Sequence, residues 1–176
     1  MAFLEAEMLD SGVVEQAGVG QLRFWHLTFQ EHYAASALVE LDDDDGSEGW
    51  WQVLAAHLDE RQWGEVMEHF AGCLARTGQR RLNLLVERIL TIAESGDLAY
   101  LSFAVGVLGR ILRILTIYVY EPPQRLGWEQ AKERVMPILT TEGAFQVPVN
   151  KRVEAAEALE RQVIRGFKTR SRKCYR

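Results

Sequence analysis

Apolar residues recur along most of this chain at the three-to-four spacing of an amphipathic helix, and one short stretch departs from it. Met1 to Leu9 carries Phe3, Leu4 and Met8 on one side, which predicts a short helix stopped by Ser11-Gly12. Val13–Gln16 and Gln21–Trp25 are β-prone runs separated by Ala17-Gly18-Val19-Gly20, the pattern of a β-hairpin with a glycine-bearing turn. Thr28-Phe29-Gln30-Glu31 then has the form of a capping box, in which Thr28 accepts from the Glu31 amide and Glu31 reaches back to the Thr28 amide. The helix it opens carries Phe29, Tyr33, Ala37, Leu38 and Leu41 at helical spacing and ends at the solvated Asp42–Asp45 loop with Gly46 and Ser47. Further helices are predicted near 48–58, 61–77, 80–95, 97–119, 128–141 and 149–164. Their separators are Thr77-Gly78, Ser95-Gly96-Asp97, Glu121-Pro122-Pro123 and Gly143 to Pro148, with Asp97 and Asn150 near helix starts. No stretch beyond the hairpin alternates long enough for a sheet. The pattern predicts a mainly α fold, with short connections that suit stacked helix pairs.

The most apolar stretch, Leu98 to Tyr120, has the length of a membrane span, but Arg110 and Arg113 interrupt it, each costly near a bilayer centre. A buried core helix is the reading taken. Charge is uneven along the chain. Residues 1–60 hold thirteen Asp/Glu and one basic residue, Arg23, a sum of −12, while the remainder sums to +7. An acidic first third would repel phosphate backbones, so nucleic acid is not an expected partner. Cys73 and Cys174 show neither a pairing pattern nor metal spacing, and the N-terminus lacks the charged and apolar regions of a secretory signal. A cytoplasmic protein is expected, with no membrane partner. Arg165 to Arg176 contains six Lys/Arg and no acid, and reads as a frayed basic tail.

Several chemistries lack their residues. A P-loop needs a glycine-rich turn ending in Gly-Lys-Ser/Thr, and no Gly-Lys pair occurs, so ATP is not held by that route in this chain. Neither a Gly-x-Ser-x-Gly elbow nor a His-Glu-x-x-His zinc helix is present. Asp42 to Gly46 invites an EF-hand reading. With Gly46 at the sixth loop position, though, Leu41 would be the first ligand and Gln52 the bidentate acid. His26, His32, His57 and His69 have no mutual metal spacing, and His57 and His69 read as packing or surface residues. His26 is placed differently. It lies between a hairpin strand and a capped helix start, where exposed amides and a ring nitrogen could meet an anion, although that geometry alone favours a purely structural histidine.

Residues 21–41, and above all Phe24-Trp25-His26-Leu27-Thr28-Phe29-Gln30-Glu31 with Tyr33-Ala34-Ala35, resemble the winged-helix segment that follows the NTPase core of NACHT-type regulatory proteins. His32 is a departure, since the aromatic residue commonly follows the Glu directly. Trp63-Gly64-Glu65-Val66 with Phe70-Ala71-Gly72 is similar to that family's next helix. Pro148 to Leu159 looks like a HEAT-type helix of bacterial members, but the Gly-Asp-Pro-Arg turn that follows it there is replaced by the basic tail. The resemblance implies the C-terminal part of a winged-helix domain over 1–45, a helical HEAT-like arm over 46–164 and a disordered basic tail over 165–176. It also implies that His26 contacts the diphosphate of ADP held by a core outside this chain, helping to latch a closed state. Phe24, Phe29 and Tyr33 are read as core packing.

The expected function is therefore a regulatory or sensor segment of a NACHT-type NTPase, with no enzymatic activity of its own and no cofactor held by this chain alone. ADP or ATP would belong to the core, and the partner would be that core or another protein. A standalone helical scaffold for protein–protein contact is the alternative. A DNA-binding winged helix suits the hairpin but not the charge, and a zinc or acid–base enzyme lacks a convergent set.

Overall fold

The structure, a computed structural model, describes residues 13–41, 49–94 and 97–171, with side chains through residue 160. The helix expected over Met1–Leu9, the Asp42–Asp45 loop and the last five residues lie outside it. The fold is mainly helical, with a single two-stranded antiparallel sheet among the described residues. By packing, the chain divides into two compact units, Met1–Cys73 and Leu74–Arg176.

In the first unit, β1 (Val14–Gly18) pairs with β2 (Gln21–Phe24) in the register Val14↔Phe24, Glu15↔Arg23 and Gln16↔Leu22, with an irregularity before Gly18. Glu15 and Arg23 stand directly opposite and form an ion pair of 2.6 Å. The turn narrows to Val19-Gly20, where Gly20 has a φ of 70° that a side chain would resist. Helix α1 (Leu27–Glu40) buries Glu31, Ala35 and Leu38, spaced four and three residues apart along one stripe. Helix α2 (Gly49–Ala56) buries Trp50 and Leu54. A 3-10 turn at Arg61–Trp63 leads straight into α3 (Gly64–Thr77), on which Val66, Met67, Phe70 and Ala71 are buried. Trp50 meets Phe70 with ring centroids 5.3 Å apart. By packing, α2 and most of α3 fall in the same unit as the hairpin. The packing division at 73/74 thus differs from the 45/46 division expected from the sequence.

The second unit is helical throughout its described residues. Helix α4 (Gln79–Glu94) buries Leu82, Leu85, Val86, Ile89, Leu90 and Ala93, a regular apolar stripe. Helix α5 (Leu98–Ile114) is capped by Asp97, which accepts from the amides of Ala99 and Tyr100 at 3.0 and 3.1 Å, as its position predicts. It continues as a 3-10 turn over Leu115–Tyr118. Over Leu98–Tyr118 it is long and apolar enough to cross a membrane, yet half of it is buried inside the fold.

Three expectations are corrected here. The helix expected over 128–141 is α6 (Trp128–Val135) followed by a 3-10 turn at Met136–Leu139, because Pro137 lacks the N–H that would continue the ladder. The stretch read as a separator from Gly143 contains α7 (Thr141–Gln146), capped by Thr140, whose hydroxyl accepts from the Gly143 amide at 3.2 Å. Helix α8 (Val149–Ser171) runs past residue 164, so the first seven residues of the expected disordered tail are helical. Helices α4, α6, α7 and α8 all pack on α5. Helices α5 and α8 approach closely at Gly109, where an added Cβ would lie 2.2 Å from the Cβ of Ala158.

Candidate functional site

His26 occupies the junction between β2 and α1. The ladder is prolonged by the Trp25 amide, which donates to the Val13 carbonyl at 2.9 Å, and the chain then turns into the helix. His26 has φ −124° and ψ 135°, the extended geometry of an N-cap, and its Nδ1 accepts from the Thr28 amide at 3.2 Å. Its carbonyl accepts from the Phe29 amide at 3.1 Å. The cap is therefore His26 rather than Thr28, and the expected capping box does not form, since the Thr28 amide is already taken by imidazole. Accepting through Nδ1 requires that nitrogen to carry no proton, which places the ring proton on Nε2. His26 is exposed, and Nε2 makes no hydrogen bond among the described residues. The result is a fixed donor at a helix start.

Most aromatic residues around this junction are exposed. Phe24 and Tyr33 stack with centroids 5.7 Å apart, but Tyr33 remains 49% exposed and Phe29 43%. Trp25 and Leu27 are more exposed still. The expectation of core packing is thus corrected for Phe29 and Tyr33, while Phe24 is half-buried: α1 turns its Glu31-Ala35-Leu38 stripe inward, and Phe29 and Tyr33 fall on another side of the helix. His32, the departure from the motif, meets Tyr33 edge-on and lies 5.9 Å from the ring of His69.

A second cluster escaped the sequence reading. His57 follows α2 in a turn, and its Nδ1 lies 2.8 Å from Glu60 Oε1. The Gln62 amide nitrogen donates to Glu60 Oε2, also at 2.8 Å. The hydrogen bond from His57, and next that from Gln62, hold the Glu60 carboxyl below its ordinary value. The His57 ring stacks face to face on Trp63, 4.2 Å away and within 5° of parallel. This cluster borders an open groove whose far wall is α1, lined by Gln30 and Glu31 on one side and Glu60, Arg61, Trp63 and Glu65 on the other. Histidine followed three residues later by glutamate was the available signal. It was missed because residues 57–63 are turn and 3-10 helix, whose side-chain directions no helical or strand period gives.

His26 does not line that groove, and none of the sequence-selected histidines converges with it on a shared centre. Among the described residues no group of three or more His, Cys, Asp or Glu is arranged to hold a metal ion. Comparison with protein-family models, with curated proteins and with solved structures finds no match to this chain.

Proposed function

We propose that this chain is a regulatory or sensor segment of a NACHT-type signal-transducing NTPase, a winged-helix segment and a HEAT-like helical arm acting on a nucleotide-binding core carried outside this sequence. The observation that carries the reading is His26. It sits where a hairpin strand enters a helix, with one ring nitrogen committed to capping and the other presenting a proton to solvent. A helix N-terminus favours negative charge, and a neutral imidazole N–H beside it is suited to a diphosphate oxygen. Exposed Trp25, Leu27, Phe29 and Tyr33 around the same junction supply apolar area for a covering domain. In this reading the contact exists in one domain arrangement only, so it biases the equilibrium between closed and open states without any chemistry of its own.

The test uses this chain joined to its nucleotide-binding core, with fluorescent ADP and a release assay. His26→Ala removes both the cap and the diphosphate donor. His26→Asn retains a capping side chain but shortens the reach. A hydrogen bond to a charged group contributes about 1.5–3 kcal/mol, so both variants are expected to release ADP roughly ten- to a hundredfold faster. Wild-type release from His26→Asn would remove the latch.

A standalone helical scaffold for protein partners is the second reading. It is favoured by the exposed Leu139, Phe145, Val149 and Val153 of the second unit. Partner binding that is indifferent to nucleotide would select it.

A further inference from the structure

The cap at the start of α1 exists in one protonation state only. Imidazole Nδ1 of His26 accepts the Thr28 amide at 3.2 Å, and a nitrogen that carries a proton cannot accept. A protonated ring would also be a cation at the positive end of the helix dipole. Imidazole exchanges that proton between about pH 5 and 8, where the commoner serine, threonine and asparagine caps do not titrate. A second cap lies two residues further on, unused. Thr28-Phe29-Gln30-Glu31 has the form of a capping box, and the Thr28 hydroxyl makes no hydrogen bond among the described residues. Glu31 lines an open groove and is committed to no other side chain among them.

Moving the start from one cap to the other costs little packing. Residues 26–30 are all exposed, and Leu27 keeps 63% of its surface in solvent. Phe24 stacks on Tyr33, which lies beyond either start, so the hairpin stays attached to α1 in both. No other charge holds the ring. On the elements that meet there, Arg23 of β2 is paired with Glu15 of β1, and α1 offers Glu31 and His32, the latter against His69 of α3. Helix α2 carries no titratable side chain, and Glu60, Arg61 and Glu65 face α1 across a groove that His26 does not line. None of these bonds to His26 among the described residues. The path of the chain leaving β2 selects His26 while its ring is neutral. We propose that the start of α1 is a proton-sensitive joint: a proton on Nδ1 of His26 passes the Thr28 amide to the Glu31 carboxylate and the cap to the Thr28 hydroxyl, so that His26 and Leu27 leave the helix start. Acid thereby replaces one outward donor on a fixed ring by two donors on a released one. The inference rests on the cap geometry and not on the nucleotide reading, and its test contains no nucleotide.

The full chain, labelled for NMR, is titrated from about pH 8 to 5 while the histidine rings and the amides of Thr28 and Glu31 are followed. Both amides are expected to shift with the midpoint of the His26 ring, and the backbone shifts of Leu27 and Thr28 should leave the helical range. His26→Asn supplies a cap that does not titrate, so both transitions should vanish in it. Thr28→Ala keeps the loss of the first cap but has no hydroxyl to form the second, and its Glu31 amide should exchange about tenfold faster than wild type at the acid end. Leu27 and Thr28 staying helical once the His26 ring is charged would overturn the proposal. So would a Thr28 amide that titrates with His32 or His69, or one that shifts as far in His26→Asn as in wild type.

Discussion

His26 and Thr28 compete for one backbone amide, and the outcome reorganises the first helical turn. Imidazole at the N-cap takes the Thr28 N–H, the helix opens at Leu27 instead of two residues later, and Glu31 is left without its cap bond. Both residues were legible in the sequence as occupants of a strand-to-helix junction. Which of them caps was not, because two side chains two residues apart satisfy the same local rule and only the path of the chain leaving β2 chooses between them. Tyr120 is a second residue defined by its surroundings. It is 7% exposed, donates to Asn83 Oδ1 at 2.7 Å, and burial pushes its hydroxyl up from 10 to about 12. Its folded-state value is raised, so the stability it contributes is complete below about 10 and is lost as pH climbs through 12. Urea midpoints should fall across that window. Tyr120→Phe should flatten the fall while losing about 1 kcal/mol at neutral pH with the Asn83 bond. An unchanged alkaline slope in that variant would assign the loss to other groups.

Elements with one apolar stripe were the easiest to read. The Leu82-to-Ala93 pattern of α4 fixes both the helix and its buried side, and Asp97 marks the start of α5. Elements whose ends depend on neighbours were read less well. Pro137 divides the stretch expected as one helix. Within α7, Gly143 has no room for a side chain, since a Cβ there would fall 2.0 Å from the Pro137 carbonyl oxygen. At Gly109 local and tertiary preferences oppose each other. By helix propensity alone, Gly109→Ala in α5 would gain about 1 kcal/mol. The added Cβ would instead meet the Ala158 Cβ at 2.2 Å and its Cα at 2.9 Å on α8. Overpacking of that kind costs about 1–3 kcal/mol, enough to reverse the sign. Gly109→Ala should therefore lower the urea midpoint, with Ala158→Gly in the same chain recovering part of the loss. A stabilised single variant would show that α5 and α8 do not approach so closely.

For the molecule as a whole, charge supplies a test that local geometry does not. Thirteen acidic residues against one basic over residues 1–60 should prevent the hairpin and α1 from docking on a phosphate backbone, whatever their likeness to a DNA-binding winged helix. Titration with duplex DNA at low salt, read by fluorescence anisotropy, is expected to show no binding through this unit. Binding abolished by Arg23→Ala would contradict that. The sequence by itself determined the helical class, the hairpin, the strand-to-helix position of His26 and the character of the apolar α5 segment, because periodicity, turn residues and charge are properties of neighbours along the chain. Tertiary structure decided what periodicity cannot encode: that α4, α6, α7 and α8 pack on α5, that Phe29 and Tyr33 stand at the surface, and that Glu31, Glu60 and Trp63 line one groove. The free energy of such contacts comes from burial and desolvation, which depend on what the fold brings together and not on the order in which the residues are written.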